Sequence, residues 1–168
     1  MPPPIRASIR AATPGDLSSI LEINAQSSPG VARLSDGEVA SLLEVAPAVR
    51  VATVDSRVVG YVIAYPSDWP YEGEEFAWFR DHYATFLYVD QVAVASRLRG
   101  AGLGAQLYHD VEQWALARRI PLLTCEVNLR PANPGSLRFH KRHGYHPVQD
   151  LETRDGRKAL LMAKTLRS

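Results

Sequence analysis

The stretch that decides the fold is Val92-Ala93-Val94-Ala95-Ser96-Arg97-Leu98-Arg99-Gly100-Ala101-Gly102-Leu103-Gly104, in which an apolar run enters a basic, glycine-rich turn. Upstream, Phe86–Ala95 has the composition of a β-strand, and downstream Gly102–Arg119 places apolar residues at helical spacing. Glycines let the backbone approach a ligand closely, and the first N–H groups of a helix lack partners within the helix. The segment therefore predicts a strand, a phosphate-binding turn and a helix in that order.

A glycine-rich turn is by itself a weak signal, because the same sequence also serves as a tight connection that binds nothing. A P-loop would need Gly-Lys-Ser or Gly-Lys-Thr at the end of the turn. A dinucleotide-binding fold would place its glycines after the first strand of the domain. Neither context is present, so the neighbouring sequence has to decide what the turn binds.

A second informative stretch is Asn133-Pro134-Gly135-Ser136-Leu137-Arg138-Phe139-His140-Lys141-Arg142-His143-Gly144-Tyr145. It resembles the Asn-x-x-Ala-x-x-x-Tyr-x-x-x-Gly-Phe stretch of the GNAT superfamily of N-acetyltransferases. Arg99–Gly104 is similar to the Arg/Gln-x-x-Gly-x-Gly/Ala signature of the same superfamily. The two motifs stand in the family's order and spacing, and the order of elements resembles that fold along nearly the whole chain.

The resemblance implies an α/β (α+β) fold and acetyl-CoA as co-substrate. Its central mixed, twisted sheet would have about seven strands flanked by about four helices. The fourth and fifth strands would splay into a V, and the pantetheine arm would fill the gap like an added strand. Backbone groups of the fourth strand would bond the pantetheine amides and stabilise the oxyanion, while those of the turn would hold the pyrophosphate. The cofactor-binding residues implied are Val92, Ala93, Val94, Arg99, Gly100, Ala101, Gly102, Leu103, Gly104, Asn133 and Ser136.

Two catalytic residues are predicted, the first from the resemblance and the second from strand parity. His140 stands where most family members have the Tyr that protonates the departing thiolate, and an imidazole is competent for that task. The alternative is a histidine that only packs or solvates its helix. For the general base, Asp90 shares strand parity with Val92 and Val94 and is preferred. The alternative is a buried carboxylate that is held by a backbone or Arg partner. Glu126 on the neighbouring strand, or a water molecule, stays open as the base.

The function implied is transfer of an acetyl group to a primary amine of a small molecule or peptide by direct attack on the thioester. Two other interpretations stay open. One is a non-catalytic acyl-CoA-binding or regulatory domain on the same scaffold, because fold does not fix function. The other is a protein N-terminal or lysine acetyltransferase. Neither interpretation requires nucleic acid or a membrane as partner.

The acceptor would meet the segment Pro66–Thr85, which is aromatic-rich and shows no clear strand periodicity. It is too long for a hairpin turn, so a functional loop is predicted. Its aromatic side chains would form an apolar surface that captures an amine by cation–π attraction, or else a homodimer contact. The six aromatics concerned are Trp69, Tyr71, Phe76, Trp78, Phe79 and Tyr83.

The remaining elements follow from local patterns. Two helices follow the first strand, the second preceded by a capping box of Ser35 and Glu38. Asp55-Ser56-Arg57 joins two strands as a hairpin, and Gly144 ends the helix of the second motif. A strand after the Gly102 helix predicts a parallel crossover. The other predicted elements are strands at Ile5–Ala11, Val49–Val54, Val58–Tyr65, Pro121–Val127, Pro147–Leu151 and Lys158–Thr165, and a helix at Pro134–His143.

Composition limits the class of protein. With 168 residues, 46% hydrophobic and 22% charged, the chain fits a single domain spanning 1–168. Lys and Arg number 19 against 18 Asp and Glu, so no net field favours nucleic acid or an anionic membrane.

Cysteine usage and the chain's beginning point to its setting. Cys125 is the only cysteine, which excludes an intramolecular disulfide and a cysteine-rich metal site, and no metal is expected. The segment Met1–Arg6 lacks the apolar region of a secretory signal, and no run approaches the roughly 20 apolar residues that span a bilayer. We therefore expect a soluble cytoplasmic protein.

Overall fold

The computed structural model describes residues 3–28, 30–45 and 48–167, with the side chain of residue 45 left aside. These residues form seven strands and five helices. The strands are β1 (Ser8–Ala11), β2 (Ala48–Val54), β3 (Arg57–Pro66), β4 (Leu87–Val94), β5 (Leu122–Arg130), β6 (His146–Glu152) and β7 (Lys158–Thr165). The helices are α1 (Leu17–Ser27), α2 (Asp36–Val45), α3 (Glu74–His82), α4 (Leu103–Ala117) and α5 (Pro134–Arg142).

The strands make one mixed sheet in the order β1-β2-β3-β4-β5-β7-β6, which confirms the predicted fold class. The hairpin between β2 and β3 turns at Asp55 and Ser56, whose φ angles of 50° and 64° suit a tight two-residue turn. β4 pairs in parallel with β5 through Leu87–Leu123 and Tyr88–Thr124, at the first residues of β4. The splay of β4 and β5 stays a prediction.

The chain packs as two compact units, one of residues 1–64 and 90–114 and the other of residues 65–89 and 115–168. In the first unit, the stripe of α4 that we predicted is buried: Leu103, Leu107 and Val111 are at most 1% exposed. β3 approaches this helix closely, because a Cβ added at Gly60 would lie 3.2 Å from a Leu107 methyl carbon. The single-domain organisation stays a prediction.

The second unit has an aromatic core. Phe76, Phe79, Phe86 and Tyr88 are at most 1% exposed, and their ring centroids lie 5.5 to 6.0 Å apart in the pairs that touch. Edge-to-face and tilted pairs of this kind add stability beyond the apolar area they bury.

The prediction of a loop without secondary structure at Pro66–Thr85 was wrong, because Glu74–His82 is a helix. Its first turn carries Glu74 and Glu75 and its last turn Arg80 and His82, which complements the helix dipole. Phe76 and Phe79 are 0% exposed and cannot face an acceptor. Their spacing of three was a helical signal that the flanking aromatics obscured.

Several local predictions are confirmed. Ser35 and Glu38 form the reciprocal capping box ahead of α2, with bonds of 3.1 and 3.2 Å. Gly144 follows α5 with φ +91°, and the amide of Gly144 bonds the Lys141 carbonyl. Among residues 3–28, 30–45 and 48–167, no helix has the length and apolarity needed to cross a bilayer.

Candidate functional site

The turn between β4 and α4 lies in the first unit and has open backbone at two glycines. A 3-10 turn (Ser96–Leu98) follows β4, and Gly100 and Gly102 then take φ angles of +80° and +86°. A Cβ built at either glycine would meet nothing within 4 Å. Ala101 and Leu103, the neighbours of Gly102 in the chain, are buried, and Gly104 lies in the first turn of α4. Only glycine adopts such angles cheaply, so the turn leaves its backbone accessible beside a helix N-terminus.

The arrangement of β4 agrees with the predicted parity. Gln91 and Ala93 are 4% and 5% exposed and face the core, whereas Asp90, Val92 and Val94 are only partly buried. Ala93 therefore can contribute its backbone but not its side chain. Asp90 shares its side of the strand with Val92 and Val94. Its role as the base stays a prediction.

The side chain of Arg99 forms hydrogen bonds with the end of α1. Its Nη2 donates to the Gln26 carbonyl at 3.1 Å and to Ser27 Oγ at 3.3 Å, both at the end of α1. The sequence predicts that the backbone N–H groups from Arg99 to Gly104 hold the pyrophosphate, and that role stays a prediction.

In the second unit, α5 brings Asn133, Ser136 and His140 together. Asn133 is the N-cap, and its side-chain oxygen accepts the Ser136 amide at 3.4 Å. His140 Nδ1 lies 2.7 Å from the Ser136 carbonyl and 3.3 Å from Ser136 Oγ. The sequence predicts that Asn133 and Ser136 bind the cofactor, and that role stays a prediction. In the structure the two residues are joined by the N-cap hydrogen bond.

The hydrogen bond of His140 defines its tautomer. A carbonyl only accepts, so Nδ1 carries the proton and Nε2 the lone pair in the neutral ring. The ring is 7% exposed and lies edge-on to Tyr145, with centroids 5.3 Å apart. Burial, and next the charge of His143, lower the pKa of His140 below its ordinary 6.5, against the opposing bond to Ser136. The lowered pKa favours the neutral ring of His140.

The two candidate bases lie in different electrostatic surroundings. Asp90 is in the first unit near Tyr61, whose pKa rises to about 12, chiefly through burial and also through the Asp90 charge. Glu126 is in the second unit near Arg157, whose guanidinium bonds Glu75 at 3.0 Å and Asn128 at 3.2 Å. Burial lowers the pKa of Arg157, but bonds to Asp155 and the charges of Glu75 and Glu126 raise it overall.

Cysteine and metal chemistry find no support. Cys125 is 2% exposed, and burial, followed by the charge of Glu126, raises the pKa of its thiol. A thiol in this state is not a nucleophile at neutral pH. Within the described ranges, no group of three or more His, Cys, Asp or Glu side chains has the arrangement of a metal site.

Sequence reasoning missed the polar cluster of Asn24, Tyr61 and Gln91. These side chains are 0%, 0% and 4% exposed, and the Tyr61 hydroxyl donates to Gln91 Oε1 at 2.8 Å. Two signals were available. Asn24 follows Ile20 and Ile23 on the apolar stripe of α1, and Gln91 occupies a core position of β4.

The family model for the Acetyltransferase (GNAT) family matches residues 19–145, which include both motifs. The chain belongs to this family. GNAT members are acetyltransferases that use acetyl-CoA, so this GNAT protein is an acyltransferase enzyme. No curated protein matches its sequence.

Solved structures share the fold of this GNAT protein. Ard1 from Thermoplasma volcanium is 20% identical with a TM-score of 0.79, covering 98% of this chain and 100% of its own. The ribosomal-protein-S18-alanine N-acetyltransferase from Escherichia coli is 16% identical with a TM-score of 0.72, covering 97% and 96%. Chaetomium thermophilum Naa20, solved with a bisubstrate analogue, is 20% identical with a TM-score of 0.75, covering 95% and 86%.

Proposed function

We propose that this enzyme transfers the acetyl group of acetyl-CoA to a primary amine of a small molecule or peptide. Acetyl-CoA supplies a thioester, which an uncharged amine can attack directly. The family supports this reaction, and the observation that carries it in this chain is the turn at Gly100 and Gly102. We propose that the enzyme works in the cytoplasm.

The turn fits a pyrophosphate because it offers backbone donors without obstruction. No side chain occupies the space above Gly100 and Gly102, and the N-terminus of α4 adds unpaired N–H groups and a positive dipole end. Arg99 is held by α1, so the backbone from Arg99 to Gly104 is the element that binds. Val92, Ala93 and Val94 would bond the pantetheine amides through their backbone.

Removal of a proton from the acceptor requires a base, because an amine is protonated at neutral pH. Asp90 is the proposed base, since it shares the partly buried side of β4 with Val92 and Val94. Glu126 is the second candidate. It lies near Arg157, whose pKa the charge of Glu126 helps to raise.

His140 is the proposed acid for the thiolate, and its tautomer specifies how it gains the proton. The neutral ring enters the reaction with Nε2 as acceptor, so it first takes the second amine proton as the C–N bond forms. The resulting imidazolium then gives this proton to the sulfur when the C–S bond breaks. The base takes the first proton from the protonated amine and passes it to solvent. The overall reaction therefore releases one proton.

The acceptor contact is proposed for the aromatics of 66–85 that remain accessible. Trp78 is partly buried on α3 and stacks on exposed His82, with centroids 3.8 Å apart. Tyr71 stacks on Tyr65 at 4.6 Å. Accessible ring faces suit capture of an ammonium group, and a homodimer contact is the competing use.

Calorimetric titration with acetyl-CoA, followed by a thiol-release assay over a panel of amines, tests the proposal. The panel should contain small primary amines, lysine-containing peptides and peptides with free N-termini. We expect saturable binding and thiol release that depends on an amine. Binding without release for any amine would support the non-catalytic alternative, and release confined to peptides would make the enzyme a protein acetyltransferase.

A further inference from the structure

The end of α1 is tied to the β4–α4 turn by three hydrogen bonds within the first unit. The Ser96 amide donates to Gln26 Oε1 at 2.9 Å. Arg99 donates from Nη2 to the Gln26 carbonyl at 3.1 Å and to Ser27 Oγ at 3.3 Å. The turn that we propose for pyrophosphate is thus attached to a helix 70 residues earlier in the chain.

The chemistry of a helix end explains the role of Arg99. The last carbonyls of a helix lack partners within the helix, and they form the negative end of its dipole. A guanidinium satisfies such carbonyls with several donors and a permanent charge. Arg99 therefore serves α1 in the way a capping residue would, although it comes from another part of the chain.

The end of α1 is also a fixed point. One turn before it, Asn24 is fully buried and its Nδ2 donates to Ala32 O, Tyr61 Oη and Gln91 Oε1 at 2.9, 3.1 and 3.2 Å. Asn24 Oδ1 accepts the Leu34 amide at 2.9 Å. A satisfied buried network holds its members in one arrangement, so Gln26 and Ser27 extend from a rigid support.

We propose that Gln26 is a positioning residue for the cofactor-binding turn, and that Arg99 acts with it through α1 rather than on the coenzyme's phosphates. The inference rests on the proposed function, because the turn must bind acetyl-CoA for its position to matter. Gln26 accepts the Ser96 N–H and so orients the start of the 3-10 turn. Arg99 fixes the other end of that turn.

A double-mutant cycle between Gln26 and Ser96 tests the first part. Gln26→Met keeps the length of the side chain but removes the acceptor, and Ser96→Pro removes the donor at a helix position that tolerates proline. Each should raise the acetyl-CoA Kd about 3- to 10-fold, the usual effect of one hydrogen bond. In the Ser96→Pro background, Gln26→Met should change Kd by less than about 2-fold.

A control variant distinguishes loss of the hydrogen bond between Gln26 and Ser96 from general damage to α1. Ala25→Met introduces the same residue at an exposed neighbouring position of α1 and should leave Kd unchanged. Circular dichroism and thermal melting of each variant check that it folds. Additive effects of Gln26→Met and Ser96→Pro in folded variants would overturn the positioning role of Gln26.

A second cycle tests whether Arg99 acts through α1. Ser27→Ala should raise Kd about 2- to 3-fold in the wild type and have no effect in Arg99→Ala. Arg99→Ala should also leave the salt dependence of Kd unchanged, since no phosphate contact is lost. A reduced salt dependence, with Ser27→Ala silent in both backgrounds, would assign Arg99 to the phosphates and overturn the inference.

The two proposals fail in different ways. Absence of saturable acetyl-CoA binding by the wild-type chain would refute the proposed function itself. Normal binding by the wild type together with additive cycles would refute only the roles of Gln26 and Arg99.

Discussion

The β4–α4 turn and helix α5 carry the two motifs of this enzyme, and they prepare different kinds of chemistry. The turn offers backbone N–H groups at glycines whose φ angles are +80° and +86°. Helix α5 offers the side chain of His140, buried and oriented by the Ser136 carbonyl at 2.7 Å. The turn depends on the backbone conformation of its glycines, and His140 depends on its burial and its hydrogen bond. We therefore expect substitutions in the turn to weaken binding and substitutions of His140 to slow the reaction.

The largest effect is expected at His140. His140→Ala should lower the acyl-transfer rate about 10²- to 10⁴-fold, the usual contribution of a positioned proton donor, with little change in acetyl-CoA affinity. His140→Tyr should retain much of the rate. Single-turnover kinetics with calorimetry separate the two quantities, and a near-normal chemical step in His140→Ala would leave solvent as the proton donor.

The backbone site should be broken by Gly102→Val. The positive φ angle strains a β-branched residue, and its side chain would enter the space proposed for the pyrophosphate. Acetyl-CoA Kd should rise at least about 100-fold, a loss of about 2.7 kcal/mol.

A matched control for that variant is Gly156→Val. Gly156 has φ +87° and equally open surroundings, but it lies in the turn between β6 and β7. It should suffer the same backbone strain and keep its affinity for acetyl-CoA. Equal losses in both variants, measured by calorimetry on folded protein, would contradict a binding role for the Gly102 turn.

Two matched substitutions, each replacing a carboxylate with its amide, distinguish the two candidate bases. Asp90→Asn should lower kcat/KM for the amine about 10- to 100-fold, whereas Glu126→Gln should have a smaller effect. The decrease of kcat/KM at low pH, which reports protonation of the base, should disappear only in the variant that lacks the base. A larger loss in Glu126→Gln would transfer the role to Glu126.

A smaller effect is expected at Trp78. Trp78→Ala should raise KM for the amine about 10-fold and leave the acetyl-CoA Kd within about 2-fold, because only acceptor contacts are lost. Sedimentation of the variant provides the control. If the oligomeric state changes while KM does not, the accessible aromatics form a dimer contact.

The smallest effect concerns stability at acidic pH. Because the folded-state pKa of His140 is lowered, the unfolded chain binds more protons as pH falls below about 6.5. Stability should therefore decrease from that pH toward the lowered pKa, and His140→Phe should reduce the decrease. Urea unfolding at pH 7.5 and 5.5 measures the free energy of unfolding at each pH. An identical pH dependence in His140→Phe would contradict the lowered pKa of His140 in the folded state.

Local patterns predicted most of the fold because they report local physics. The capping box at Ser35 and Glu38, the apolar stripe of α4 and the glycine that ends α5 each act within a few residues of chain. Helix α3 was missed because the flanking aromatics obscured the helical spacing of Phe76 and Phe79. Both rings pack against Phe86, a contact that the sequence pattern does not reveal.

The sequence by itself determined the family, the order of the elements other than α3, and the glycine turn, since motif spacing and backbone freedom are properties of the chain. Only the tertiary structure decided what the long polar side chains bind. The sequence indicates no partner for the Arg99 side chain, which donates to the end of α1. Asn24 and Gln91 are buried polar side chains, and Asn24 Nδ2 donates to Gln91 Oε1 at 3.2 Å. Hydrogen-bond partners distant in sequence exist only after folding has brought them together.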